Sequence, residues 1–321
     1  MKIQNLGRSG LKVSAICLGT MQFGWTADAE TSHHIMSRAL ELGCNFFDTA
    51  DVYSSWAPES YPGKSEEIIG DWLHSGAVRR DELILATKVR GKMGPRPTDQ
   101  GLSRHHILAA VEASLRRLQT DYIDLYQLHA PDTETPLHET LSALDNLVQR
   151  GLVRYIGCSN YPAWLLAKSL WLSDVRRMAS FTSIQPHYNL VHRAEFEREL
   201  QPLCLDQGVG VIPYSPLAAG FLTGKYKQGE EQPASPRKAG IEQRHFSDKK
   251  FAALAVLGEV AAKQQATMAQ TAIAWVLANP AVSSAIIGAN TIAQLEDTMR
   301  GAEVELTAEQ KATLDAATVW E

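Results

Sequence analysis

Eight short apolar runs recur along this chain, each followed by a longer stretch with helical periodicity, and no other feature restricts its fold as strongly. The runs are AICLG (15–19), NFFD (45–48), ELILATK (82–88), YIDLYQLH (122–129), VRYIGCSN (153–160), FTSIQP (181–186), VGVIPY (209–214) and SSAIIG (283–288). Most are rich in Ile, Val, Leu and aromatic residues with little polar alternation, the pattern of strands covered on both faces. Between them lie segments with readable helix ends. In TPLHETLSALDNLVQRG (135–151), Thr135 is the expected N-cap, Pro136 the first helical residue and Gly151 the stop. Its Leu137, Leu141, Leu144, Leu147 and Val148 form one stripe to bury. SRHHILAAVEASLRRLQ (103–119) repeats the design, with Ser103 as cap. Further helices are expected at 30–42, 65–74, 162–172, 194–206, 248–264, 268–278 and 292–299. A last one near 308–317 opens on the capping box Thr307–Gln310.

Strand–helix repetition implies parallel strands with right-handed crossovers. Eight such units in 321 residues fit a closed (β/α)8 TIM barrel better than an open doubly wound sheet. No GxGxxG follows any strand; GVGVIPY at 208–214 lacks the third glycine and starts no helix. The expected organisation is one barrel domain over 1–321, with a hairpin in the first 14 residues across its bottom. Loop composition concentrates at 54–63, 91–102 and 225–247, each after a strand's C-terminal end, where a barrel builds its site.

Composition narrows the partners. A net charge of −5 argues against nucleic acid and anionic membranes, and no apolar run reaches the length of a membrane span. The N-terminal stretch lacks the pattern of a signal peptide, so a cytoplasmic location is expected. Cys17, Cys44, Cys158 and Cys204 lack metal or disulfide spacing and read as buried free thiols. The pairs His33–His34 and His105–His106 diverge by about 100° per helical step, so no metal is expected there. Trp164, Trp171 and Trp275 read as packing residues.

In a barrel, polar residues at the strand ends converge on one mouth. Asp48, Tyr53, Lys88 and His129 end or follow the second, third and fourth runs. Each has an ordinary alternative as a turn or surface residue; together they define a chemistry. A free tyrosine, with a pKa of about 10, is a reluctant proton donor at neutral pH. An adjacent ammonium lowers that value, and a carboxylate such as Asp48 keeps a buried Lys88 charged. His129 would orient a carbonyl oxygen by a hydrogen bond. Such a general acid contributes roughly 10²–10⁴ in rate.

DTADVY, ATKV, LYQLHAP, GCSNY, IQPHYN, VIPYSPLAAGFLTGKY and IIGANTIAQLEDT together resemble the aldo-keto reductase superfamily over essentially the whole chain. YSPLAAGFLTGKY and the ending around Gln294 are similar to the bacterial group that also resembles potassium-channel β-subunits. The resemblance implies a barrel that binds NADP(H), with NAD(H) as the less favoured cofactor, and a small carbonyl substrate. It implies Tyr53 as general acid, Lys88 and Asp48 as its tuning pair and His129 as the carbonyl orienter. Gly19, Thr20 and Met21 join the cofactor site with Asp48, and Ser159, Asn160 and Gln185 bind the carboxamide. Tyr214 stacks on the nicotinamide, and Ser215, Leu217, Gly220, Leu222 and Lys225 clamp the pyrophosphate. Gly288, Asn290, Gln294, Asp297 and Thr298 match the adenosine end, at a helix N-terminus capped by Thr291.

The chain departs from the family pattern in three places. Asn290 stands where many relatives carry Arg or Lys, which weakens the discrimination for a 2′-phosphate. Thr298 replaces a common Asn. The loop SSWAPESYPGK is longer than usual and offers Trp56 and Tyr61 as walls for an apolar or aromatic substrate. The leading expectation is reversible reduction of aldehydes or ketones. The alternatives are a cofactor-sensing partner protein with slow turnover, and an aldolase using Lys88 as a Schiff-base amine.

Overall fold

A computed structural model of the chain describes residues 1–233, 235 and 238–320. All eight expected runs form parallel strands: β3 (Ile16–Gly19), β4 (Phe46–Asp48), β5 (Ile84–Val89), β6 (Ile123–Leu128), β7 (Val153–Ser159), β8 (Phe181–Gln185), β9 (Gly210–Val211) and β10 (Ala285–Ile287). Their order is β10-β3-β4-β5-β6-β7-β8-β9. The ring closes where Ser283 N–H donates to the Val211 carbonyl at 2.8 Å and Ile286 N–H to that of Pro213 at 3.0 Å. The result is a (β/α)8 barrel, as the run pattern predicts. The strands are buried almost end to end, so their missing polar alternation follows from cover on both faces.

Upstream, β1 (Ile3–Asn5) and β2 (Lys12–Ser14) pair antiparallel as the expected hairpin. Its Leu6, Leu11 and Val13 pack with Cys17, Phe46, Ala86, Leu125, Ile212 and Ile286, filling the barrel interior below the mouth. Side chains alternate along a strand, so apolar Phe46, Ala86 and Leu125 sit below Asp48, Lys88 and Gln127 on the same inward face.

The outer layer contains α1 (Ala29–Glu41), α2 (Lys64–His74), α3 (Arg104–Leu118), α4 (Leu137–Gln149), α5 (Ala163–Arg176), α6 (Gln201–Gln207), α7 (Lys238–His245), α8 (Asp248–Lys263), α9 (Met268–Leu277), α10 (Ile292–Met299) and α11 (Ala308–Ala317). Ser103, Thr291 and Thr307 cap α3, α10 and α11 as expected. Thr135 does not cap α4: the helix starts after Pro136, and the Thr135 hydroxyl donates to Asp132 instead. The segment expected to be helical at 194–206 begins with a π-turn over Phe196–Leu200. The stretch 225–247 is not purely loop, since α7 lies in it; its Ala234, Pro236 and Arg237, like Glu321 at the end, lie outside the described residues.

Packing corrects one further expectation. Trp275 is buried and donates to Asp315, but Trp164 and Trp171 are 64% and 62% exposed on the outer face of α5. His106 is buried, whereas its neighbour His105 is exposed. All four cysteines are free and buried. Among the described residues, no helix is long and apolar enough to cross a membrane.

Candidate active site

Parallel pairing sets the height of each polar side chain. Gly19 lies beside Asp48, Lys88 beside Gln127, and Ser159 beside Gln185 in the ladder. The C-terminal strand ends therefore deliver Asp48, Lys88, Gln127 and Gln185 to one level. Lys88 Nζ donates to Asp48 Oδ2 at 2.5 Å, to the Thr49 carbonyl at 2.9 Å and to Tyr53 Oη at 3.0 Å. The ring of His129 meets that of Tyr53 edge-on at 5.8 Å. The quartet expected from the strand ends is one cluster.

Its electrostatics follow from burial. Lys88 is fully buried, which alone would depress its ammonium, but Asp48 and Tyr53 overcome that and raise it above its ordinary value. Tyr53 departs from the expected direction. Its recessed phenol is pushed up by desolvation; Lys88 pulls it down without winning, and Asp48 adds to the rise. Desolvation, which the sequence argument left out, outweighs the ammonium here. Tyr53 thus keeps its proton at neutral pH, while Lys88 stands ready to meet the charge left when that proton leaves. His129 is pushed down to about 3 by burial, with Lys88 and Arg90 adding to the effect, so its imidazole is neutral.

Gln127 is the missed member of the cluster. Its Nε2 donates to Asp48 Oδ1 at 2.8 Å, and Gln185 Nε2 donates to the same oxygen at 2.9 Å. A polar residue two positions before His129 on a buried strand is the signal that marks it. Ser159 donates to the Gln185 carbonyl at 2.8 Å, and Asn160, at φ 60°, donates to the His129 carbonyl at 3.0 Å. Tyr214 Oη donates to Asn160 Oδ1 at 3.0 Å, and the Tyr214 ring stacks on His187 at 5.1 Å.

From this cluster a cavity of about 610 Å³ runs across the mouth. It is lined by Gly19, Thr20, Met21, Asp48, Tyr53, Trp56 and His129 at one end. Ser159, Asn160, Gln185, Tyr214, Ser215, Leu217, Gly220 and Lys225 line its wall, and Gly288, Asn290, Gln294, Asp297 and Thr298 its far end. Leu222 is the exception among the residues expected to hold the cofactor: it is fully buried in the core and does not reach the cavity. Gln22, Pro216, Ala219, Thr223, Ala269, Ile286 and Ile287 also line it, most of them apolar residues without a chemical signature to read.

The donor set suits an elongated anionic ligand with a flat head. Ala218, Ala219 and Gly220 take φ of 50°, 57° and 99°, turning the main chain sharply beside Lys225. A Cβ at Gly220 would come within 3.4 Å of the Lys225 ammonium. The first turn of α10 lies at the far end, where Asn290 and Gln294 line the cavity and Thr291 caps the helix by accepting from the Gln294 N–H. Asn290 Oδ1 accepts from Thr26 Oγ1 at 2.6 Å, and Asp297 is held by Thr267 and Gln270.

At the Tyr53 end of the cavity, Trp56 is 45% exposed and packs edge-on to Tyr53 at 6.0 Å and to Trp25 at 5.9 Å. Tyr61, the other expected wall, turns away: its hydroxyl donates to Glu67 at 2.5 Å, and it does not line the cavity.

A sequence model of the aldo/keto reductase family matches residues 15–319. The chain is 40% identical over 315 residues to the uncharacterized oxidoreductase YrpG of Bacillus subtilis (strain 168), covering 96% of this chain and 93% of that one. It is 35% identical over 309 residues to a probable voltage-gated potassium channel subunit beta of Arabidopsis thaliana, covering 95% and 92%. It is 36% identical over 336 aligned residues to versiconal hemiacetal acetate reductase of Aspergillus parasiticus, covering 97% and 95%. With the barrel, its strand-end cluster and these near full-length matches together, the chain belongs to the aldo/keto reductase family and is an oxidoreductase.

Proposed function

We propose that this oxidoreductase reversibly reduces aldehydes or ketones to alcohols with NADP(H), and that Tyr53 is its general acid. The observation that carries the reading is the double contact of Lys88, 2.5 Å from Asp48 and 3.0 Å from Tyr53, at the head of the long cavity. The nicotinamide, when bound, supplies the hydride to the carbonyl carbon. Tyr53 Oη gives its proton to the carbonyl oxygen, and Lys88 stabilises the phenolate that results. Neutral His129 donates one hydrogen bond to the same oxygen and fixes the carbonyl in register. Tyr214 stacks on the cofactor's flat head, and Ser159, Asn160 and Gln185 bind its carboxamide. Ser215, Leu217, Gly220 and Lys225 hold the diphosphate, and Gly288 through Thr298 the adenosine phosphate. Trp56 walls the substrate, a small carbonyl compound. Lys88 as an aldolase nucleophile fits poorly, since an ammonium raised by Asp48 lacks the free lone pair that amine attack needs.

The plant relatives named as channel subunits support a second reading, a dinucleotide-binding sensor with slow turnover. Turnover decides between them. NADPH consumption is followed with a panel of aldehydes and ketones, wild type against Tyr53→Phe. The expected result is measurable reduction by wild type, a loss of roughly 10²–10⁴ in kcat for the variant, and unchanged NADPH affinity. Near-normal turnover by Tyr53→Phe would sink the assignment of the acid; tight NADPH binding with no turnover on any substrate would favour the sensor.

A further inference from the structure

Trp164 and Trp171 lie seven residues apart on α5, so they project from one face, about 20° apart around the helix. Val175 continues the stripe, and all three residues are more than half exposed. Apart from Trp56 at the cavity mouth, these are the exposed tryptophans among the described residues. The fold does not need them there, since Leu166, Ser169 and Ser173 supply the buried side of α5. A run of large apolar side chains left in water on one helix face marks a surface that another molecule covers.

The charges on the stripe fit a second copy of this chain. Lys168 stands three residues before Trp171 and Asp174 three after it; both are exposed, and neither forms an ion pair among the described residues. When two copies of a helix pair antiparallel about a two-fold axis at Trp171, residues equally far before and after it come to the same height. Lys168 of one copy then meets Asp174 of the other, twice by symmetry. Val175 meets the half-buried Ala167, and Trp171 meets its own twin. Trp164 comes opposite Met178, which lines a cleft of about 780 Å³ between α5, α6 and the tip of the N-terminal hairpin. Trp171, Asp174, Leu203 and Gln207 line the same cleft, so each copy offers both a projecting indole and a hollow to receive one. Each of these opposed pairs is apolar against apolar or plus against minus. Parallel pairing would instead set Lys168 against Lys168 and Asp174 against Asp174.

We infer that α5 is the interface of a homodimer, packed antiparallel against α5 of a second copy, with Trp171 at the two-fold axis and Trp164 of each copy seated in the other's α5–α6 cleft. Such a self-complementary contact closes at two copies, and the indoles at its centre carry most of its affinity. Sedimentation equilibrium of the full chain at micromolar concentration is expected to give the mass of two chains. Trp171→Glu should give a monomer with an unchanged circular dichroism spectrum. Lys168→Glu sets like charges opposite one another at both symmetric positions and should weaken the dimer about tenfold or more. Combining Lys168→Glu with Asp174→Lys in one chain restores the attraction, and the dimer Kd should return to within about threefold of wild type. A face that packs on anything but itself gives no such rescue. A monomeric wild type overturns the inference, leaving the face to a partner of another kind, and so does an assembly that Trp171→Glu leaves intact. If Trp171→Glu does not fold, the charge pair decides alone: a dimer indifferent to Lys168→Glu, or a double variant no tighter than the single one, overturns the antiparallel pairing.

Discussion

Asp48 and Asp51 stand three residues apart in DTAD, at 1% and 0% exposure, and the barrel surrounds them in opposite ways. Asp48 receives Lys88 on one oxygen and the amides of Gln127 and Gln185 on the other. Asp51 lacks such a set: both of its oxygens are buried without a well-formed hydrogen bond, and only the neighbouring Val52 N–H lies near enough to favour its charge. The nearby cation is already committed, since Arg117 donates to Glu66 at 2.7 Å, and Thr87 takes the other Glu66 oxygen at 2.6 Å. Burial pushes the Asp51 carboxyl up to about 8, with Glu66 adding to the rise and Arg117 and Lys88 opposing it. Burial alone therefore does not decide the state of a carboxylate. An assembled set of donors lets the charge at 48 serve Lys88, and its absence leaves 51 a neutral acid beneath the loop that carries Tyr53.

The largest break in this comparison is Asp48→Asn. The variant leaves Lys88 buried without its counter-charge, next to an amide that presents N–H rather than oxygen to it. Burial then lowers the ammonium, the phenolate of Tyr53 loses its support, and kcat/KM should fall about 10²-fold. Removing one member of a buried pair also costs stability, about 3–5 kcal/mol, less whatever Lys88 recovers by losing its proton. Steady-state kinetics and denaturant melts check both parts. Activity within threefold of wild type would mean that Lys88 needs no carboxylate.

Asp51→Asn sharpens the contrast by moving in the opposite direction. An acid whose folded value of about 8 lies above the ordinary 3.8 keeps its proton in the folded state across the window between them. The unfolded chain releases its proton there, so stability falls as pH rises through that window and stays low above it. Asparagine carries no such penalty. The variant should gain stability over wild type progressively from about pH 4 to pH 8, by at most about 1.4 kcal/mol per pH unit, and level off beyond. Turnover should stay within threefold. A stability difference that does not change with pH would mean that Asp51 is ionised in the folded protein.

These two residues also mark how far the sequence could be read. Asp48 was legible because it ends a strand, and strand ends in a barrel share a mouth; the same logic located Lys88 and His129, whereas most of the cavity wall was legible only through the family resemblance. What stayed hidden depends on three-dimensional neighbours. Leu222 falls within the right loop but turns inward, a matter of the φ reversal at Ala219 and Gly220. Gln127 reads as one polar residue in an apolar strand until Asp48 appears beside it. Trp164 and Trp171 have the spacing of core residues, and only the packing of α5 shows them facing outward. Tyr53 could be paired with Lys88 from the motif, but the sign of its shift required knowing how deeply its oxygen lies.

His129 gives the smallest expected effect, and it tests the same balance of burial against charge at a third position. The ordinary imidazole titrates between pH 6 and 7, so an unperturbed His129 would impose a break there on the rate of reduction. Pushed down to about 3 by burial, Lys88 and Arg90, it stays neutral through that range. Tyr53, raised by desolvation, keeps its proton until well into the alkaline range. The profile of kcat/KM for reduction should therefore vary by no more than about threefold between pH 5.5 and 9, as measured with a neutral substrate at constant ionic strength. A fall on the acid side with a midpoint near 6.5 would show that His129 takes up a proton in the open site. The ammonium of Lys88, 3.0 Å from the phenol, would then be too well screened to hold the imidazole neutral, and its hold on Tyr53 would be weaker by the same screening.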